Sequence, residues 1–383
     1  MRKAVGAVLF GSSLYAAALY SPLSVSYEGI LHAESEQTPG KEDNASFPAE
    51  SNSFATFYSL LTVNYDLTDT FFVTAGGKAN LVLGEDNYDT PIYLRAKQTS
   101  DDLDKAVVSD LSLTYDNGTL ALSAGRMDIS YDWLLGSMDG AIVTLGSDET
   151  YSLRLFWFRN FTQLQYNYAF EVRDMNDGHG MYGAIARAKK NGFEMTFYDY
   201  FMQDLRNIAG GHCSWSGERF GAHLSYTDAK ALSLAAYDYD ESFAEAAIEW
   251  LAGERHLLEI GGSLTGENGL LAMVQLGSFM FGRFYLSNQV DRENAKNVYA
   301  RYLYGSRRWQ WELLGGVTRY DNRFKRVENG LSSFEIDGYL SHAFNREWTF
   351  QLGAMWMNVD ERDPVGVDQT LVTANVVYRY DYF

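Results

Sequence analysis

The feature that most constrains this chain is a strict alternation of apolar and polar residues, interrupted by tight turns. Leu111, Leu113 and Tyr115 alternate with polar neighbours, which predicts a strand with one apolar and one wetted face. The dipeptide 117–118 is Asn-Gly, which readily adopts the positive φ angles of a two-residue type I′ turn. The chain then returns as a second alternating segment, residues 119–125. Together these residues predict an antiparallel hairpin.

A longer break follows this hairpin. Gly125-Arg126 opens the segment RMDISYDWLLGSM, which is predicted as a loop, and alternation resumes at Ala141. Two strands on a tight turn, then a long loop, then another strand is a unit that can repeat around a circle. Such a repeat describes a transmembrane antiparallel β-barrel with short turns on one rim and long loops on the other.

The same pattern recurs along the chain. A second Asn-Gly turn, at 191–192, joins strands predicted over 181–190 and 193–201. Other predicted strands are 26–36, 54–65, 70–83, 151–157, 208–215, 219–227, 243–251, 256–265, 298–304, 309–320, 333–343, 348–358 and 370–383. The total is about 18 strands, or 20 if the segment Gly266–Ala295 forms a hairpin instead of one long loop. Either even number places both chain ends on the same rim.

Two of these strands carry tryptophan on one face only. Trp309 and Trp311 share a face with Leu313, and Trp348 shares a face with Trp356. An apolar face that begins and ends in tryptophan suits a lipid-exposed wall with aromatic girdles. A soluble sandwich would bury the same face and give a similar alternation. The asymmetry between short turns and long loops, together with the export signal below, favours the barrel.

Composition excludes several classes of protein. No internal run approaches the ~20 apolar residues of a membrane helix, and 27 Tyr, 23 Phe and 8 Trp against 5 Pro favour strands. The single cysteine, Cys213, cannot form an intrachain disulfide and lies far from the N-terminus, which excludes a lipoprotein. A net charge of −19 argues against a nucleic-acid partner.

The N-terminus reads as a secretory signal. Arg2 and Lys3 precede an apolar segment of small residues, so residues 1–24 are predicted as a signal peptide with an approximate end, and 25–383 as the barrel domain. A buried N-terminal helix is the alternative interpretation of the same residues.

Residues Leu122–Gly140, LSAGRMDISYDWLLGSMDG, resemble the OprD-like family of outer-membrane porins. In that family a strand ending in an A-G-R-like sequence leads into an inward-folded third loop, and the next strand begins at a D-x-x-x-G-like return. Overall length and the terminal Phe383 are also similar. The return here reads Ser-Met-Asp-Gly, without an adjacent basic residue, and Asp381 lies where an assembly signal usually has an apolar residue, which predicts a local bulge.

The resemblance implies an 18-strand barrel in the outer membrane of a Gram-negative bacterium, with short periplasmic turns and long extracellular loops. Its third loop, from Arg126 to Asp139, would fold into the lumen and narrow a passive diffusion channel for small hydrophilic or charged solutes. The implied partners are outer-membrane lipid, lipopolysaccharide and those solutes, with no cofactor. The sequence leaves a monomer and a homotrimer open.

The candidate constriction consists of Arg126, Asp128, Asp132, Trp133 and Asp139. Inside a water-filled lumen the three carboxylates would repel anions and concentrate cations. In the alternative interpretation, Trp133 and Leu134 anchor the loop to the barrel wall.

Four basic residues fall in the lumen phase of their strands: Arg154, Arg187, Lys189 and Arg301. A stack of these along the wall, opposite the loop acids, would create a transverse field that orients dipolar solutes. Ordinary pairing with acids of the same phase is the alternative, and those acids are Glu194, Glu249, Glu259, Glu312 and Asp337.

The sequence gives little support for an enzyme or a metal site. The residues around Ser214 form no G-x-S-x-G elbow, the six histidines form no H-E-x-x-H, and the segment 174–178 lacks the spacing of a calcium loop. The rival function is a structural or adhesive barrel whose lumen is closed. In that case acidic loops such as 85–89, 238–241 and 360–363 would bind a surface partner.

Overall fold

The computed structural model describes residues 22–38, 50–86, 105–165, 168–232, 240–270, 289–322, 327–363, 366 and 368–382. No helix within these ranges is long and apolar enough to cross a membrane. A 3₁₀ turn lies at Asn176–Gly178.

The described residues form 19 strands. In chain order they are β1 (Leu23–Thr38), β2 (Glu50–Asp66), β3 (Phe71–Asp86), β4 (Lys105–Asp116), β5 (Leu120–Tyr131), β6 (Leu134–Ser147), β7 (Tyr151–Gln165), β8 (Tyr168–Asp174), β9 (Met181–Lys190), β10 (Phe193–Met202), β11 (Arg206–Ser216), β12 (Phe220–Ala231), β13 (Asp240–Leu251), β14 (His256–Thr265), β15 (Glu293–Gly305), β16 (Trp309–Asn322), β17 (Val327–Ala343), β18 (Trp348–Val359) and β19 (Gln369–Tyr382).

The strands close into a single antiparallel ring. Each pairs with its neighbour along the chain, and β1 pairs with β19 from Val25 to Gln37. Residues 151–158 of β7 pair with β9, while residues 160–165 pair with the short β8. β8 therefore extends β7 beside the ring and is not one of the strands of the ring. Eighteen strands form the ring, as predicted. Most of the segment in which an extra hairpin was considered, residues 271–288, lies outside the described part of the chain.

The two faces of the wall differ as the alternation predicts. On β18, Trp348, Leu352 and Trp356 are exposed on the outer side, whereas Met355 and Met357 are buried on the inner side. The buried inner side carries polar side chains, with Thr318, Glu335 and Asp337 fully covered, as well as apolar clusters, whereas the exposed outer side carries many large apolar side chains.

The rims are also asymmetric. Eight tight turns lie on the rim that carries both described chain ends: 67–70, 117–119, 148–150, 191–192, 217–219, 252–255, 306–308 and 344–347. Among the connections that the structure fully describes at the other end of the strands, two are as short: the tip of the β5–β6 hairpin at 132–133 and the turn at 203–205. The prediction of long loops is wrong at these two places.

The structure corrects the bulge predicted in the last strand and describes only the end of the predicted signal peptide. β19 pairs with β1 without interruption from Thr370 to Tyr382, so the bulge predicted near Asp381 is absent. The pairing of Asp381 with Ser26 is compatible with a continuous ladder because both lie at the rim. Residues 1–21 of the predicted signal peptide lie outside the described residues, and β1 begins at Leu23.

Candidate functional site: a hairpin folded into the barrel

The segment predicted as a loop is a regular hairpin. The β5–β6 pairing continues from Arg126 and Asp139 to Tyr131 and Leu134, and only Asp132-Trp133 forms the turn. Trp133 adopts a φ of 62°, the left-handed conformation that such a tight turn requires. The alternation of Met127, Ile129 and Tyr131 with polar residues was the sequence signal for these strands, and the density of acids and glycines obscured it.

The hairpin leaves the wall at two glycines. Pairing between β4 and β5 ends at Arg126, and the β6–β7 register shifts between Asp139 and Gly140. A Cβ atom on Gly125 would lie 2.2 Å from the Leu111 carbonyl oxygen, and one on Gly140 would lie 1.9 Å from the Trp157 carbonyl oxygen. No other residue type fits at these positions without moving the backbone, so the glycines allow the strands to bend inward.

One face of the hairpin is apolar and packs on the inner wall. Met127, Leu134 and Met138 belong to a buried cluster with side chains of β7, β9, β10 and β11. Phe156 and Phe158 of β7 stack with ring centroids 4.7 Å apart in this cluster. This packing holds the hairpin inside the ring, because exposing these side chains would return a large apolar area to water.

The hairpin tip is pinned to strands far away around the ring. The Trp133 indole N–H lies 2.9 Å from both the Tyr198 hydroxyl on β10 and the Thr227 hydroxyl on β12. The indole ring also contacts Phe243 of β13 edge-on, with centroids 6.0 Å apart. Beside it, an Asp132 carboxylate oxygen lies 3.4 Å from Nδ1 of His212 on β11. These contacts match the alternative interpretation of Trp133, in which it anchors the segment to the barrel wall.

The polar face of the hairpin carries Asp128. Its carboxylate accepts hydrogen bonds from Lys78 Nζ on β3 at 2.6 Å and from Ser137 Oγ at 3.2 Å. Its backbone N–H donates to the Asp110 carboxylate on β4 at 2.9 Å. The Asp128 side chain is still 39% exposed, whereas Lys78 is 10% exposed. A lysine–carboxylate pair therefore borders the open side of the hairpin.

Arg126 and Asp139 lie at the base of the hairpin, on the outer side of the wall. Arg126 is directly opposite Leu111, which is 61% exposed on the outer face. The Arg126 guanidinium forms a bidentate pair with Asp139 at 2.5 and 2.7 Å and donates to the Val108 carbonyl at 3.3 Å. Asn160 of β7 donates to the same carboxylate at 3.0 Å. These side chains connect four strands at the bend and do not line the interior with Asp128.

The four predicted lumen arginines and lysines do not form one stack. Arg187 and Lys189 both pair with Glu194, and Arg301 contacts Glu259 and Glu312 on the two neighbouring strands, β14 and β16. Pairing with acids of the same phase, the alternative left open by the sequence, describes these three residues. Arg154 pairs instead with Asp148 in a turn, and its guanidinium lies 5.5 Å from the Tyr131 ring centroid under the hairpin.

The carboxylates of the acidic loop between β18 and β19 are bound within the loop and to β16. Asp360 accepts a bidentate pair from Arg362, and Asp363 accepts a hydrogen bond from the Tyr320 hydroxyl at 2.8 Å. Within the described residues, no group of His, Cys, Asp and Glu side chains could hold a metal ion. The contacts of Asp360 and Asp363 hold the conformation of the loop and its position against β16.

This ion pair gives a pH prediction. The Arg362 guanidinium lowers the pKa of Asp360 to about 2. Because the folded pKa is depressed, the contribution of the pair is complete above the ordinary carboxylate range and is lost as pH falls from about 4 toward 2. We expect Arg362→Gln to return the midpoint toward 4 in a carboxylate NMR titration. An unchanged midpoint would contradict this assignment.

Sequence reasoning missed the partners of the hairpin. Lys78, Tyr198, Thr227 and His212 lie on four different strands, 50 to 94 residues from the hairpin side chains that they contact. Their parity predicts that they face inward, but only the closed ring brings them to the hairpin. No local motif marks them.

Similar solved structures bear on the fold. OccAB1 of Acinetobacter baumannii matches with a TM-score of 0.77 at 9% identity, over 94% of this chain and 97% of that chain. OccAB4 of the same organism gives 0.74 at 13% identity, over 94% and 99%. The outer membrane protein OpdK of Pseudomonas aeruginosa gives 0.69 at 13% identity, over 94% and 99%. The chain shares their fold.

The barrel predicted from the resemblance to OprD-like porins is thereby confirmed as an architecture. No protein-family model matches the sequence, and no curated protein sequence matches it. At 9 to 13% identity the likeness lies in the strand layout, so the roles of individual residues must be argued from this chain's own contacts.

Proposed function

We propose that this protein is a passive diffusion channel for small hydrophilic or charged solutes in a bacterial outer membrane. The observation that carries the proposal is the β5–β6 hairpin, which crosses the interior of an 18-strand ring and is pinned at Trp133 to the wall beyond. A ring of this size encloses more space than its own side chains fill. A hairpin held across that space narrows a passage to the size of small solutes.

The polarity of the two faces supports the membrane placement. Exposed Trp and Tyr side chains occur near both ends of the outer face, as in the aromatic girdles of outer-membrane barrels. OpdK, which shares the fold, is an outer membrane protein. In this orientation the eight tight turns face the periplasm.

Recording from planar bilayers tests the channel. We expect discrete, ohmic conductance steps from the purified protein. The rival function, a structural or adhesive barrel with a closed lumen, predicts no steps under any ionic condition. Conductance therefore separates the two functions.

The pair formed by Lys78 and Asp128 is proposed to set the charge preference of the passage. Lys78→Met leaves the Asp128 and Asp110 carboxylates without a nearby cation, so the ratio of cation to anion permeability should rise by at least about twofold. Asp128→Asn should shift the ratio in the opposite direction. Reversal potentials in a salt gradient measure both variants. Identical reversal potentials in the two variants would show that this pair does not line the passage.

A further inference from the structure

The inward bend of the hairpin leaves a recess on the outside of the barrel. Its volume is about 650 Å³, within the range of small-molecule sites. It is lined by Val108, Leu111, Gly125, Arg126, Asp139, Gly140, Trp157, Arg159 and Asn160. A regular barrel wall has no such depression, because neighbouring strands lie about 4.8 Å apart along its whole height.

The recess lies at the level of an aromatic row. Trp157 pairs with Tyr182 of β9, which pairs with Phe201 of β10, and all three side chains are exposed on the outer face. Such a row marks the boundary between hydrocarbon and headgroups. The charged end of the recess, at Arg126, Asp139 and Asn160, lies beyond Trp157 toward the headgroup side.

The charges of the recess do not balance. Arg126 and Asp139 neutralise each other in their bidentate pair. Arg159 is exposed at the edge, and none of the carboxylates whose side chains the structure describes pairs with its guanidinium. The site thus combines an apolar wall formed by Val108, Leu111 and Trp157 with one surplus positive charge. A guanidinium binds phosphate oxygens with charge-assisted hydrogen bonds.

We propose that this recess binds one phosphate-bearing membrane lipid. The lipid phosphate contacts Arg159. The part of an acyl chain nearest the headgroup packs on the apolar wall of the recess, where the hairpin bends away from the barrel wall. The inference rests on the membrane placement in the proposed function, since only then does this face meet lipid. It also explains how a break in the outer wall is tolerated, because the lipid covers surface that the departed strands would otherwise have covered.

Native mass spectrometry of the delipidated, detergent-solubilised barrel, titrated with phosphatidylglycerol, tests the proposal. We expect one tightly bound lipid on the unmodified protein, and at least about threefold weaker binding to Arg159→Gln. Arg319→Gln is the matched control, because Arg319 is an exposed arginine on the outer side of β16 outside the recess. A diacylglycerol with the same chains, which has no phosphate, should bind more weakly than phosphatidylglycerol.

A second pair of variants separates occupation of the recess from charge. Val108→Trp fills the apolar wall and should weaken lipid binding, whereas Leu113→Trp, on the same face of β4 but outside the recess, should not. Equal effects of Arg159→Gln and Arg319→Gln, or equal binding of the two lipids, would overturn the proposal. Heat-modifiable electrophoretic mobility verifies that each variant is folded. Single-channel conductance of the same samples reports on the channel separately, so failure of one proposal is distinguishable from failure of the other.

Discussion

Trp133→Ala is expected to release the tip of the hairpin and to make the single-channel conductance fluctuate. The indole is 5% exposed, donates its only N–H to two hydroxyls and packs on Phe243. Truncation therefore leaves a cavity and removes both hydrogen bonds from the tip, while the Tyr198 and Thr227 hydroxyls keep the hydrogen bond between them. Truncating a buried tryptophan typically costs about 3–5 kcal/mol. The hairpin should therefore leave its position part of the time, and single-channel recordings should show frequent excursions to higher conductance.

The matched control is Trp348→Ala. Trp348 is 45% exposed on the outer face and does not contact the hairpin, so its loss should leave the recordings steady. If the conductance fluctuated as little in both Trp133→Ala and Trp348→Ala as in the unmodified protein, the tip would not be held by Trp133.

Asp139→Ala is expected to reduce stability without changing ion preference. Its carboxylate accepts from Arg126 and Asn160, and Arg126 in turn satisfies a carbonyl of β4 at the point where β5 departs. Residues in one such network have coupling energies of about 0.5–3 kcal/mol. A double-mutant cycle of Arg126→Ala and Asp139→Ala, measured by denaturant unfolding in detergent, should give a coupling of that size.

The outer position of this pair makes the prediction specific. A residue in the passage would alter the reversal potential when its charge is removed, whereas Asp139 lies on the face that also carries Leu111. A coupling energy near zero, or a shift in reversal potential as large as that of Asp128→Asn, would contradict the position described for Asp139.

The sequence predicts the ring well because its signals are local. Alternation at Leu111 and Leu113 fixes which side of β4 faces outward, and the Asn191-Gly192 turn, with φ angles of 51° and 84°, fixes the register of β9 and β10. In the turn at 117–119 only Gly118 has a positive φ, so the type I′ turn predicted at Asn117-Gly118 is wrong. Once most strands and turns are known, closure follows from the even number of strands and the absence of tolerated free edges.

The site was less predictable because it depends on where one hairpin bends. Arg126, Asp128 and Asp139 are close in sequence, which predicts them in a single loop. The bend at Gly125 and Gly140 instead leaves Arg126 and Asp139 on the outer side and carries Asp128 inward. The contact between Trp133 and Thr227 spans 94 residues. Such pairs arise from the geometry of the closed ring, and short-range patterns do not encode them.

Replacing residues 126–139 with Asn-Gly tests the central claim most directly. Gly125 and Gly140 are paired across the strands, so a two-residue turn can close the shortened hairpin within the wall. If the inward hairpin sets the width of the passage, single-channel conductance of the folded variant should rise several-fold and its ion preference should weaken. Conductance and ion preference equal to those of the unmodified protein would show that the hairpin does not form the constriction.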